Sequence, residues 1–439
     1  MTRIIYPQTN PNETEQLIIS RGQGAYVYDD KGKQYIEGLA GLWSTSLGYG
    51  NEELIEVANQ QMREIAYTPM FAGKSHNIGI ELAETLSDML PMDDARIFFG
   101  NSGSDANDTH LKLLRYYFNV IGKPEKKKVI SRHRAYHGVT MAASCLTGLP
   151  AFHQHFNLPI DELNILHTDC PHYYRNGLPG ESEAQFCQRL VDNLEQLILT
   201  EGPDTIAAFI AEPINGAGGV VLPPQGYFDK VQALLNKYQI FFICDEVITG
   251  FGRTGHDFAS RAFDIDADMM TLAKALSSSY LPISAAAVSA NIHETIREPA
   301  NKVGAFAHGY TYSGHPVCAA VALKTLQIYE RDQLFIHAGQ LGCYFQQRLN
   351  ELIKFECVGE IRGMGLIAGL EIVSDKANKT ACAELAANIA ARCLENGLIL
   401  RQVYGNTLAL CPPLIINKSQ ADEIVDKLTL SIEQTLIHR

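Results

Sequence analysis

The sequence predicts an α/β fold: a mostly parallel central sheet with helices on both faces, and a smaller α+β domain beside it. Three observations carry that prediction. From about residue 52 onward, helical patterns alternate with short apolar runs, the signature of strand-helix-strand architecture. At 439 residues the chain is too long for one compact core and suits a large domain with a smaller one. The apolar runs also end in polar, glycine-containing segments, the edge at which open α/β sheets bind ligands.

Taken in order, residues 26–36 hold two short strands around a turn at Gly32, a hairpin near the start. The runs at 97–99, 129–130, 206–211, 240–244, 269–273 and 283–288 are the strands of the large sheet. From about 325, the run 363–371 and two later helical patterns form a separate α+β lobe. The predicted division is an N-terminal segment, 1–55, contributing to the small domain, a large domain at 56–324 and the C-terminal small domain at 325–439.

A net charge of -13 argues against nucleic acid, which needs a basic face, and the lysines of 123–128 read as a solvated loop. The ten cysteines stand singly, without Cys-x-x-Cys spacing, and several lie inside apolar runs, as Cys145 and Cys244 do. They read as small buried hydrophobes in a reducing compartment, which predicts a cytoplasmic protein. Residues 1–12 lack the sustained apolar core of a signal peptide, and no run of eighteen apolar residues predicts a membrane span.

The chemistry is concentrated at the strand ends. Lys274 ends one apolar run and Asp245 another. A lysine at the end of a buried strand loses solvation, lowers its pKa and can condense with an aldehyde, while a neighbouring carboxylate can keep a pyridine nitrogen protonated. That pair suggests pyridoxal 5'-phosphate. The run 97–99 leads into Gly100-Asn101-Ser102-Gly103-Ser104-Asp105 and a helical pattern, where small residues leave backbone N–H groups free for a phosphate, assisted by the Ser104 hydroxyl. Tyr136 and His137 offer a ring beside Gly138, and Glu212 precedes the glycine-rich turn 215–219. Each has a plainer reading alone: a snorkelling lysine, a turn-forming Asp, a Ser/Asp helix cap, a core Tyr-His pair.

Three patterns point elsewhere and fail. Residues 250–255 have dinucleotide-fingerprint spacing, but Asp245 and Glu246 just before them would repel a pyrophosphate. Residues 264–268 resemble a calcium loop, yet Met269 stands where that loop needs Gly. His133 with His137, and His153 with His155, have no Cys or carboxylate to complete a zinc set, so no metal is assigned.

These residues together resemble the class III (omega) aminotransferases of pyridoxal-phosphate fold type I. The resemblance covers nearly the whole chain and rests on residues 39–43, 101–108, 136–138, Glu212-Pro213, 245–255, Lys274 and 308–316. It implies that Lys274 holds the cofactor and later shuttles a proton, and that Asp245 pairs with the pyridine nitrogen. Ser102, Gly103 and Ser104 would take the phosphate, joined by Thr311 from the partner of a homodimer with shared sites, alone or paired into a tetramer. Tyr136 and Val247 would cover the two ring faces, with His137 beside the cofactor and Glu212 supporting from behind. Leu42, Trp43, Phe71 and Phe152 resemble the apolar lining of the amine:pyruvate branch, and Arg401 its clamp for the acceptor carboxylate. In the 4-aminobutyrate:2-oxoglutarate branch a Glu usually stands where this chain has Ala217, which favours a monocarboxylate acceptor. The family usually has Gly at the positions of Ala275 and Ser279, so the loop path there is open.

The expected activity is ping-pong transfer of an amino group from an omega-amino acid, diamine or primary amine to pyruvate, giving an aldehyde or ketone and alanine. Rival readings are a 2-oxoglutarate-dependent 4-aminobutyrate enzyme, an adenosylmethionine-dependent diaminopelargonate synthase, a related mutase or decarboxylase, and a non-catalytic binding protein. A nicotinamide-dependent dehydrogenase ranks last.

Overall fold

A computed structural model describes residues 3–13 and 16–437. Seven strands form the central sheet, in the order Arg96–Gly100, Ser284–Val288, Met269–Leu272, Phe241–Asp245, Ile206–Ala211, Lys128–Arg132, Ile165–Thr168. Ser284–Val288 runs antiparallel to both neighbours, and the other six run parallel. Six carboxyl ends therefore open on one edge. The sheet is buried on both faces, which is why Ile206–Ala211 is apolar throughout and wholly buried. Alternation sorts its residues: Phe209 and Phe242 join one core with Leu190, Leu194 and Phe228, whereas Ile210 and Ile243 join another with Leu111, Leu114 and Phe118. Each such side chain contributes about 2 kcal/mol of burial.

Six of the seven strands coincide with apolar runs of the sequence. Ile165–Thr168 has only two apolar residues before His167 and Thr168, and as an edge strand it needs no more.

The N-terminal hairpin joins the C-terminal lobe. Ile19–Gln23, Tyr26–Asp29 and Gln34–Glu37 pair antiparallel, and Leu398–Ile399 adds a parallel fourth strand against Gln34–Glu37. A third sheet takes Val358–Met364, Ile367–Asp375, Thr407–Leu410 and Arg401–Val403, with Thr380–Ala381 beside Ile367–Asp375. The hairpin 401–410 turns through Tyr404 and Gly405, both at positive φ, and sends Arg401 back toward the large sheet. No helix among the described residues is long and apolar enough to cross a membrane. No disulfide joins the ten cysteines, and Cys145 and Cys244 are buried as expected.

A charged network lies between the third sheet and the large domain. Glu371 accepts from Arg175 Nε at 2.6 Å, Arg362 Nη2 at 2.7 Å, Thr407 at 3.0 Å and Asn406 at 3.1 Å. His172 and Glu360 complete a cluster whose ligand atoms lie within 4.8 Å, but guanidinium groups already supply its positive charge. Burial pushes the Glu371 carboxyl up, and Arg362, His172 and Arg175 more than reverse this, holding it well below the usual range. Glu371→Gln leaves buried Arg362 and half-buried Arg175 short of a carboxylate and is expected to cost about 3 kcal/mol. Because the folded pKa is depressed, Glu371's contribution is present above the ordinary carboxylate pKa and lost as pH falls through the folded value. Thermal unfolding from pH 7 to 3 should show the variant's deficit narrowing only at the acid end.

Candidate active site

Asp245 closes its strand, and Lys274 lies three residues past Thr271, the residue paired with Asp245 on the next strand. Lys274 opens a single 3-10 turn at φ +48°, a left-handed conformation that holds its amine at the carboxyl edge. Ala275 needs no special backbone and its carbonyl accepts from Tyr329 Oη at 2.7 Å. Ser279, by contrast, sits at φ +58°, where a glycine would be unstrained, at a cost of about 1 kcal/mol.

Asp245 is buried and fully engaged. Its Oδ2 accepts from His137 Nδ1 at 2.8 Å and Asn107 Nδ2 at 3.0 Å, and its Oδ1 from the Val247 amide at 3.1 Å. Burial raises its pKa, but His137, Asn107 and that amide outweigh burial, so the carboxyl stays below its ordinary value. An ionised Asp245 fixes the proton on His137 Nδ1, leaving Nε2 buried without a partner. Glu212 accepts from the amides of Tyr136 at 3.0 Å and Gly216 at 2.9 Å, tying together two segments of the cavity wall. Burial, with Asp245 nearby, pushes its carboxyl up against the opposing pull of His137. Lys274 is brought down to about 8, mainly by burial, partly offset by Asp245 and Glu212.

The helix Gly103–Val120 begins in a capping box: Ser102 Oγ accepts from the Asp105 amide, and the Asp105 carboxylate takes the Ser102 and Asn101 amides. The cap reading is therefore correct for Ser102. The next two amides, of Gly103 and Ser104, meet no acceptor among the described residues and stand at the positive end of the helix. A Cβ on Gly103 would lie 2.9 Å from Val247 Cγ2, and one on Gly138 would lie 2.5 Å from Ser104 Oγ. Glycine at both positions lets three chain segments close around that helix end.

These groups line one cavity of about 820 Å³, with Leu42, Trp43, Phe152, Ala217 and Arg401 on its outer walls. Trp43 is 3% exposed, Leu42 is open, and Phe152 meets the Tyr136 ring edge-on at 5.4 Å. Phe71 and Thr311 are not part of this chain's cavity. They lie together on an exposed surface, where Tyr67 Oη donates to the Thr311 carbonyl at 2.9 Å and Phe71 abuts Gly309.

Three participants escaped the sequence reading. Asn107 links Asp245, the His137 carbonyl and Thr271 Oγ1; its position one turn after Gly103 was the available signal. Arg134 grips the Gly218 carbonyl at 2.6 Å and lies 3.6 Å beneath the Tyr404 ring. Gln8 meets Arg401 from the far end of the chain, which no local pattern reveals. Residues 250–255 form a buried turn rather than a nucleotide loop, with Arg253 donating to the carbonyls of Leu366 and Pro412. His137 is bound to Asp245, and His133 stacks on His167.

The family model described as Aminotransferase class-III matches residues 8–432. A probable gamma-aminobutyrate transaminase 2, mitochondrial, of Oryza sativa subsp. indica is 46% identical over 417 residues, 94% of this chain and 83% of the relative. The omega transaminase from Pseudomonas jessenii in complex with PMP superposes with TM-score 0.97 at 48% identity, covering 99% of this chain and 96% of that one. A structure titled transaminase with L-ala has TM-score 0.94 and 51% identity over 96% of this chain and 100% of its own. Class III aminotransferases use pyridoxal phosphate, and the cavity suits it: unpaired amides at a helix N-terminus for a phosphate, a low-held carboxylate for a pyridinium, and an amine near pKa 8 for an aldehyde. By sequence, fold and cavity chemistry alike, the chain belongs to the class III aminotransferase family.

Proposed function

We propose that this aminotransferase carries an amino group from an omega-amino acid, diamine or primary amine to pyruvate, releasing an aldehyde or ketone and forming alanine in two successive half-reactions. The cofactor supplies the electron sink and stores the nitrogen between them. Lys274 would hold the cofactor through its amine, and its Nζ, once free, would be the base that takes and returns the substrate proton. Asp245, fixed by His137 and Asn107, keeps a positive charge on the pyridine nitrogen. Gly103 and Ser104 amides bind the phosphate beside Ser102, Tyr136 and Val247 enclose the ring, and Glu212 anchors the Tyr136 segment. Trp43, Leu42 and Phe152 exclude water around the donor's apolar part. Thr311 and Phe71, exposed and outside their own chain's cavity, serve the cavity of a second copy in a homodimer.

The observation that carries the acceptor choice is Arg401 at the cavity wall with the methyl of Ala217, not a carboxylate, in the loop 215–219. Arg401 is close enough for its charge to oppose the burial that raises the Tyr136 pKa and to add slightly to the burial that lowers that of Lys274. The L-alanine named with the 51%-identical structure is the product pyruvate would give, and the names of the plant relatives support 4-aminobutyrate among the donors. Visible absorption of the holoenzyme tests the reading. The cofactor band should fall with 4-aminobutyrate, beta-alanine or putrescine and return with pyruvate; return with 2-oxoglutarate alone would refute the acceptor. Arg401→Ala is expected to raise the pyruvate KM about thirtyfold, the loss of a charge-assisted pair, with a much smaller change for putrescine, a donor without a carboxylate. Equal changes for both substrates would refute the clamp.

A further inference from the structure

Arg401 reaches the cavity from the hairpin 401–410, yet among the described residues no carboxylate lies within ion-pair distance of it. Its hydrogen-bond partner is Gln8, whose Oε1 accepts from Arg401 Nη2 at 2.8 Å. Both residues line the same cavity, and they are 393 positions apart. Among the described residues, the only other hydrogen bond that leaves residues 3–13 is a local one, from Gln16 Nε2 to the Glu13 carbonyl at 3.5 Å. Arg401 thus has a neutral partner on a lightly held segment, in a cavity that Ala217, Gln402, Val403 and Tyr404 also line.

The geometry points to Gln8 as a specificity-determining residue: a neutral latch that holds the Arg401 guanidinium while a carboxylate-free amine occupies the cavity, and releases it to the keto acid's carboxylate. This rests on Arg401 being the acceptor clamp. A side-chain carbonyl offers a guanidinium one weak, uncharged acceptor, whereas a carboxylate offers two charged ones in matching geometry. An arriving carboxylate therefore displaces Gln8, and a carboxylate-free amine does not. A tethered carboxylate at position 8 would not yield so readily, because it competes with the substrate at high effective concentration.

The test uses full-length holoenzyme and compares wild type, Gln8→Ala and Gln8→Glu in each half-reaction, with pyruvate as acceptor and benzylamine as donor. The latch predicts a rank order. The pyruvate KM rises about tenfold in Gln8→Glu and falls about twofold in Gln8→Ala. In Gln8→Glu it moves about tenfold more than kcat/KM for benzylamine. In an Arg401→Ala background the Gln8→Glu effect disappears. If the segment merely covers the cavity, both Gln8 variants change the pyruvate KM in the same direction, and that result overturns the latch. If Arg401→Ala raises the pyruvate KM while the Gln8 variants match wild type, the latch fails and the clamp stands. If Arg401→Ala itself leaves the pyruvate KM unchanged, both fail.

Discussion

Replacing Lys274 with alanine should reduce transamination by about ten thousandfold or more, because it removes both the amine that holds the cofactor and the general base. The structure explains why this lysine suits the task. With its pKa brought down to about 8 by burial, roughly a quarter of the amine is neutral at pH 7.5, against roughly one part in a thousand for an ordinary lysine. Neutral amine is the reactive form. The rate at which apoprotein takes up pyridoxal phosphate should therefore rise with pH and level off above about 8, an inflection that the alanine variant lacks. Retention of more than about a hundredth of wild-type activity by Lys274→Ala would exclude Lys274 as the reacting amine.

Asp245→Asn keeps the side chain's shape and removes its charge. His137 then faces an amide, and no anion remains to hold a pyridinium proton. The expected result is a fall in kcat of about a thousandfold, equivalent to about 4 kcal/mol, with weaker cofactor retention on dialysis. Thermal unfolding of the holoenzyme separates this from misfolding, since Asn keeps its oxygen on the Val247 amide and loses only the acceptor that Asn107 and His137 share. Activity within about tenfold of wild type would mean that the carboxylate only braces His137 and Asn107.

Much of the scaffold was legible in the sequence because the central sheet is buried on both faces and its inner strands must be mostly apolar. That made six strands visible as runs and placed Asp245 and Lys274 at their ends. The edge strand Ile165–Thr168 escaped because one exposed side relaxes the demand for apolar residues. Residues 250–255 had the spacing of a nucleotide loop, and their burial under the carbonyls of Leu366 and Pro412 shows that spacing alone does not specify a ligand. By sequence Ser102 suits both a cap and a phosphate ligand, and the local hydrogen bonds show the cap directly.

What the sequence determined by itself was local and periodic: the apolar strands, the helix cap at Ser102, and the polar residues that end each strand. Those properties follow from neighbours within a few residues. What the tertiary structure decided was which distant groups meet. It joined the N-terminal hairpin to Leu398–Ile399, set Asn107 against Asp245 and Arg134 beneath Tyr404, brought Gln8 to Arg401, and left Phe71 and Thr311 facing outward. The reason is physical: a buried carboxylate or guanidinium needs a partner, and the fold supplies it from whatever segment packing brings within hydrogen-bond reach.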